Sequence, residues 1–161
     1  MKARYNPDFN MRNLFIVIFF ALSACTPKQL RPQVTPTSTK PVCTPSPTQP
    51  SNSGFPEVKG TMKSEGEMWG LLFFDKALAN QDEKFVWRIT GNGPGFNVQA
   101  QHEDGTVIQP IWGPDFHDSS SWNRPGTEWG TGFNFPKPGC WTITVSSGST
   151  VGTISLEVYA Q

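Results

Sequence analysis

One short segment concentrates the side chains best suited to chemistry: Asp115-Phe116-His117-Asp118. An imidazole flanked by two carboxylates can bind a divalent metal ion or share a proton. The spacing matches no established metal-ligand pattern, and the other histidine, His102, stands before a predicted turn where a solvated loop residue is expected. We therefore predict no metal ion at His117, and interpret this residue as a hydrogen-bonded loop residue or a ligand contact.

Nucleophilic catalysis has little support in the sequence. Ser119, Ser120 and Ser121 lie near His117, but adjacent serines in a loop usually cap backbone groups or face solvent. The sequence contains no G-x-S-x-G motif and no phosphate-binding loop. We predict that the protein is not an enzyme and has no cofactor. A hydrolase that uses His117 and nearby carboxylates is the least favoured alternative.

The segment 110–127 is the longest predicted connection and carries three aromatic side chains, Trp112, Phe116 and Trp122. Long loops in compact domains are often functional, and exposed rings can stack on sugars or anchor a protein partner. With His117 and Arg124, these residues form the predicted contact surface. The alternative is that the rings cap an open end of the fold. Arg124 is predicted to pair with Glu128 across the intervening turn, or to line a cleft with it.

The cysteines divide by position. Cys25 follows Leu22-Ser23-Ala24, a charge-free run from Leu14, and a basic start with Lys2, Arg4 and Arg12. This run of eleven uncharged residues suits the core of a signal peptide and is too short for a membrane span. The order of these features resembles the bacterial lipobox, in which the cysteine thiol receives a diacylglycerol before cleavage. Met1 and Met11 both remain compatible as translation starts.

The remaining cysteines, Cys43 and Cys140, can form a disulfide in an exported protein, or stay as free thiols. The predicted organisation has three parts. Residues 1–24 are a lipoprotein signal peptide, and 25–56 are a lipidated cysteine and a disordered stalk with eight prolines from residue 26 onward. Residues 57–161 are one domain, because all 6 tryptophans of the 161-residue chain lie there.

Alternating apolar and polar residues in that domain predict β-strands at 85–90, 96–101, 141–146 and 154–158. Further strands are predicted at 67–74, 106–111 and 129–135, and one short helical turn at 75–82. Glycine-rich and proline-rich turn signals separate them. We therefore predict an all-β fold, an antiparallel immunoglobulin-like β-sandwich of 7–8 strands. Its core is predicted to hold Trp87, Trp129 and Trp141.

The terminal part, FPKPGCWTITVSSGSTVGTISLEV, resembles the last hairpin of many bacterial immunoglobulin-like domains. The string that begins at Ser121, SWNRPGTEWGTGFNFPKPGCW, is similar to one in uncharacterised secreted and lipid-anchored bacterial proteins. This resemblance implies the fold and the location, and brings no activity with it.

The distribution of charged residues also supports an anchored N-terminal part and a separate domain. Residues 1–56 hold six basic residues and one acidic residue, whereas residues 57–161 hold seven basic and twelve acidic. The basic part suits anionic lipids, and the acidic domain makes nucleic acid an unsuitable partner. The sequence thus predicts a binding module anchored outside the cytoplasm to the bacterial cell membrane, with an envelope protein or a glycan as partner. The alternative is a structural or protease-inhibitory envelope protein.

Overall fold

The structure, a computed structural model, describes residues 42–91, 95–118 and 120–161. The predicted signal peptide, Cys25 and the stalk residues 26–41 lie outside the described residues. The described residues form strands and no helix. The strands are β1 (Thr48–Pro50), β2 (Pro56–Lys59), β3 (Thr61–Met62), β4 (Met68–Leu72), β5 (Ala77–Leu78), β6 (Asp82–Ile89), β7 (Phe96–His102), β8 (Val107–Ile108), β9 (Trp112–His117), β10 (Thr127–Asn134), β11 (Gly139–Ser147) and β12 (Thr150–Tyr159).

The strands build two sheets that pack as a sandwich. Sheet A has the order β1-β2-β4-β6-β10-β9, and sheet B has the order β3-β12-β11-β7-β8 with β5 beside β12. Neighbouring strands are antiparallel except β5 and β12, which are parallel. The predicted all-β antiparallel sandwich is confirmed. The predicted count of 7–8 strands is too low, because strands of two or three residues are too short to show an alternating pattern.

The long strands lie where alternation predicted them. In β7, buried and exposed residues alternate without a break from Phe96 to His102, as expected when one sheet face is covered and the other faces water. The segment 106–111 contributes only the two residues of β8. No helical turn forms at 75–82; Ala77 and Leu78 instead pair with the end of β12.

The main core lies between the sheets and is largely aromatic. Phe85, Trp87 and Trp141 are fully buried in it, and the rings of Phe85 and Trp87 stack at 5.1 Å. The indole N–H of Trp87 donates to Thr131 Oγ1 at 2.8 Å, so the buried ring leaves no polar atom unpaired. Trp129, predicted to lie in the core, is only half-buried at its edge.

Residues 42–56, which the sequence assigned to the disordered stalk, are part of the sandwich. Strand β1 pairs with β2, and the backbone N–H of Ser46 donates to the carbonyl of Ser155 in β12 at 2.9 Å. A disulfide joins Cys43 to Cys140 in β11. The domain thus begins well before the predicted boundary at residue 57. The frequent prolines favoured the prediction of a disordered stalk. Proline is, however, also tolerated in an edge strand.

Candidate functional site

The predicted contact residues Trp112, Phe116 and His117 lie on β9, at one edge of sheet A. The sequence placed them in a loop, but residues 112–117 pair with β10. All six residues of β9 are exposed, with Trp112 38% and Phe116 57% accessible to solvent. The strand was missed because Gly113 and Pro114 interrupt its pattern with residues that disfavour strands.

Two glycines of β10 set the positions of Trp112 and His117. A methyl group at Gly132 would collide with the indole of Trp112, and one at Gly130 would stand 3.1 Å from His117 Nε2. Both rings therefore lie directly on the backbone of β10, on the outer face of sheet A. Phe116 points to the other face, where its ring meets Trp129 edge-on at 5.3 Å.

The outer face of sheet A carries a second apolar cluster, formed by Trp69, Leu71, Val86 and Trp122 with Phe73 beside them. The chain segment after β9 crosses this face and inserts Trp122, which is only 2% exposed. The prediction that Trp122 belongs to the contact surface is therefore wrong. Its burial follows from long-range packing: a tryptophan in a glycine- and proline-rich segment can equally face water or cover a sheet.

Arg124 and the indole of Trp122 both bind one buried carboxylate, that of Glu57. The indole N–H donates to Glu57 Oε2 at 2.7 Å, and the guanidinium of Arg124 forms a two-pronged ion pair with the same carboxylate. The guanidinium also lies 4.0 Å from the ring centre of Trp69, a cation–π geometry. Arg124 is therefore a structural residue in this network, and only part of its side chain reaches solvent.

The predicted pair between Arg124 and Glu128 does not form. Glu128 accepts instead from Arg88 at 2.9 Å and from the hydroxyl of Ser120 at 2.6 Å. A further bond from Arg88 to the backbone carbonyl of Arg124, at 2.8 Å, links the two ion pairs. Adjacent sequence positions suggested a pair, but the register places Arg88 directly opposite Glu128 on β6 and β10.

The pKa of Glu57 reflects two opposed effects. Burial alone would raise it, but hydrogen bonds from Arg124, Trp122 and Gln49 outweigh the burial and lower the pKa from 4.5 to about 2. Within the described residues, no buried side-chain nitrogen or oxygen lacks a hydrogen-bond partner. The charged outer face of sheet A is thus a satisfied network that holds the crossing segment in place.

His117 stands at the rim of a hollow of about 310 Å³ next to this network. Phe55, Phe73, Lys84 and Ser121 also line the hollow. Glu128, the carboxylate opposite His117, is already held by Arg88 and Ser120. Among the described residues, no three side chains of the metal-ligating types converge, and Asp115 and Asp118 point to solvent. Glu128 is therefore bound to Arg88 and Ser120, and the hydrolase hypothesis stays a prediction.

The prediction that His102 is a solvated loop residue is wrong. Its side chain is buried against Trp141, with ring centres 4.9 Å apart, and Nε2 lies 3.2 Å from the carbonyl of Pro138. It therefore supports the turn before β11. Cys43 and Cys140 have Cα atoms 5.2 Å apart, which suits the disulfide that joins them.

The part of the chain that the structure describes contains no helix long and apolar enough to cross a membrane. No family model and no curated protein matches the sequence. One solved structure, described as a "Putative Lipoprotein from Bacillus anthracis", is 10% identical with a TM-score of 0.46, over 73% of this chain and 87% of the other. At this identity and TM-score, the likeness carries no argument about what this chain does.

Proposed function

We propose that the protein is a lipid-anchored binding module of the bacterial cell envelope, and that it contacts its partner with β9. The anchor rests on the sequence around Cys25, where a basic start, an apolar core and small residues precede a cysteine. A lipidated N-terminus would hold the domain outside the cytoplasm. No catalytic role is proposed; Glu128, which lies opposite His117, is bound to Arg88 within the ion-pair network.

The contact surface rests on one observation, the concentration of exposed apolar side chains in one stretch of the sequence. Four of the seven large exposed apolar residues of the described chain lie between positions 107 and 116: Val107, Ile111, Trp112 and Phe116. Scattered exposed apolar residues are ordinary, but two exposed aromatic rings on one edge strand, Trp112 and Phe116 of β9, support a binding surface there. The aromatic series continues inward, since Trp129 contacts Phe116 and stacks on Phe96 at 5.1 Å.

Two linked experiments test the proposal. Palmitate-analogue labelling of cells that express the wild-type chain should give a labelled protein, and Cys25→Ala should abolish the label. Retention of the unlipidated Cys25→Ala chain on detergent-washed cell envelopes should then fall about ten-fold when Phe116→Ala is added. Tyr159→Ala is the matched control, because Tyr159 is an exposed aromatic residue on β12, away from β9.

Label on the Cys25→Ala chain would contradict the anchor. Equal retention of the Phe116→Ala and Tyr159→Ala chains would contradict β9 as the contact surface. Thermal unfolding of both variants checks that each is folded, and we expect their midpoints to lie within a few degrees of the parent because both side chains are largely exposed.

A further inference from the structure

A polar cleft of about 690 Å³ lies on the outer face of sheet B, beside the segment that leads into β9. Its floor is formed by β7 and β11 through Asn97, Gln99, Thr144 and Ser146, and its wall includes Pro110 and Pro114. Its volume falls within the range of ligand-binding pockets. The predicted contact segment 110–127 and this cleft share Pro110, Gly113 and Pro114.

The sheet register arranges the floor as a grid. Thr144 lies opposite Gln99, and Ser146 lies opposite Asn97, in neighbouring antiparallel strands. Paired strands are about 4.8 Å apart, and residues on one face of a strand recur about every 6.8 Å. The cleft therefore presents two amides and two hydroxyls as evenly spaced donors and acceptors on a rigid sheet.

The polar groups of these four side chains have no hydrogen-bond partner among the described residues. Within the described chain, none of them bonds to another residue. On sheet A the situation is reversed, since Glu57, Arg88, Arg124 and Glu128 all bond to one another or to neighbouring groups. The groups on the sheet B floor are therefore available to a ligand without the loss of a side-chain hydrogen bond to any described residue.

The charge of the cleft limits the ligand class. Every residue that lines it is uncharged. An ionised ligand group that entered would leave water without gaining an ion partner, which is unfavourable. A ligand with many hydroxyls would exchange water for amide and hydroxyl partners, and its C–H surfaces would contact Pro110 and Pro114. The lining is thus complementary to a neutral, polyhydroxylated molecule.

We propose that this cleft binds a neutral polysaccharide chain. The proposal rests on the proposed function in one respect, namely that β9, whose Gly113 and Pro114 line the cleft, belongs to the contact surface. It adds the chemical class of the ligand and places it on the floor formed by Asn97, Gln99, Thr144 and Ser146. A second copy of this chain and an anionic polysaccharide are the rival occupants, and the test below separates them.

The test is affinity electrophoresis of the full lipidated chain in detergent, in native gels that contain dextran, mannan or laminarin as neutral probes. Polygalacturonate is the anionic probe. We expect at least one neutral polysaccharide to retard the chain and polygalacturonate to leave it unretarded. The variant Asn97→Ala/Gln99→Ala should weaken the retardation at least about ten-fold, because it removes both amides.

Gln101→Ala/Thr142→Ala is the matched control. These residues lie opposite each other on the same two strands and the same face, one row beyond the cleft. We expect this variant to change the affinity by less than about two-fold. Thermal unfolding should show both double variants folded, since exposed polar side chains contribute little to stability.

Several results would overturn the inference: no retardation by any neutral probe, retardation by polygalacturonate alone, or equal weakening by the two double variants. Light scattering that showed a dimer, abolished by Asn97→Ala/Gln99→Ala, would assign the face to a second copy instead. Envelope retention that depends on Phe116 without neutral-glycan binding would leave the proposed function intact and reject only this inference. Glycan binding together with envelope retention that does not depend on Phe116 would support this inference and contradict β9 as the contact surface.

Discussion

The polar side chains on the two outer faces of this sandwich differ in charge, burial and pairing. On sheet A, Glu57 and Glu128 are buried beneath a crossing segment and paired with Arg124 and Arg88. On sheet B, the outward side chains Asn97, Gln99 and Gln101 of β7 are uncharged and exposed, and Thr144 and Ser146 of β11 are uncharged and half-buried. One face therefore pairs its polar groups within the fold, whereas the other carries the uncharged groups at which we propose that a ligand binds.

A row of cross-strand neighbours shows how the charged face is built. Lys59, Trp69, Arg88, Glu128 and His117 lie side by side across β2, β4, β6, β10 and β9. Only the middle of this row is covered, which is why His117 at its end remains exposed while Glu128 does not. Coverage by the segment between β9 and β10, rather than residue type, separates the structural residues of this face from its candidate contact residues.

The largest expected effect tests which tryptophan is structural. Trp122→Ala removes a buried ring and a hydrogen bond to Glu57, so we expect the free energy of unfolding to fall by about 3–5 kcal/mol. Trp112→Ala removes a ring on an exposed edge strand and should cost less than about 1 kcal/mol. Denaturant unfolding measures both. Equal losses would show that Trp112, too, is part of the core of the protein.

A second difference between the faces is covalent, because the disulfide lies at the end of the sheet B face. Cys43→Ser/Cys140→Ser opens a link between residues 97 positions apart. In the chain-entropy account, a loop of this length contributes about 4.7 kcal/mol. We expect a loss of that order in denaturant unfolding, and a matching loss when the wild type is measured in reductant. Reductant that changed the double variant equally would contradict this origin.

A smaller, pH-dependent effect belongs to sheet A. The pKa of Glu57 is lowered from 4.5 to about 2 by its hydrogen bonds, against the opposing effect of burial. Its stabilisation is therefore fully present above pH 4.5 and is lost as the pH falls toward 2. The shift corresponds to about 3 kcal/mol. Unfolding experiments at successive pH values measure this loss.

Glu57→Gln supplies the control, since a neutral amide removes the titration but keeps much of the shape. Stability of this variant should fall less steeply between pH 4.5 and 2 than that of the wild type. Burial raises the pKa of Glu83, which disfavours folding as pH rises, so the difference between the two chains isolates Glu57. Parallel curves would contradict the assignment to Glu57.

How much the sequence predicted depends on the length and regularity of each element. The alternation in β6, β7, β11 and β12 predicted the positions of those strands. The turn signals between them indicated several short strands and hence a sandwich. Strand β9 was missed because Gly113 and Pro114 break its pattern, and β1 because its prolines favoured a stalk. For the candidate site, Trp112, Phe116 and His117 were found as exposed residues, while Trp122 and Arg124 were assigned to the wrong role.

Two cysteine positions illustrate the same limit. The sequence identified Cys43 and Cys140 as able to pair, but left open whether they do. The structure joins them because residues 43–46 run beside β12, with Ser46 bonded to Ser155. Cys25 and its lipid lie outside the described residues and stay a prediction.

By itself, the sequence determined the β-class of the domain and the faces of its long strands, because alternation is a property of consecutive residues. Only the tertiary structure decided which face is covered and which partner each charge takes. Glu57 and Arg124 stand 67 positions apart, and Asn97 and Ser146 become neighbours only through strand pairing. Local sterics cannot specify such contacts, because they depend on where distant segments cross one another.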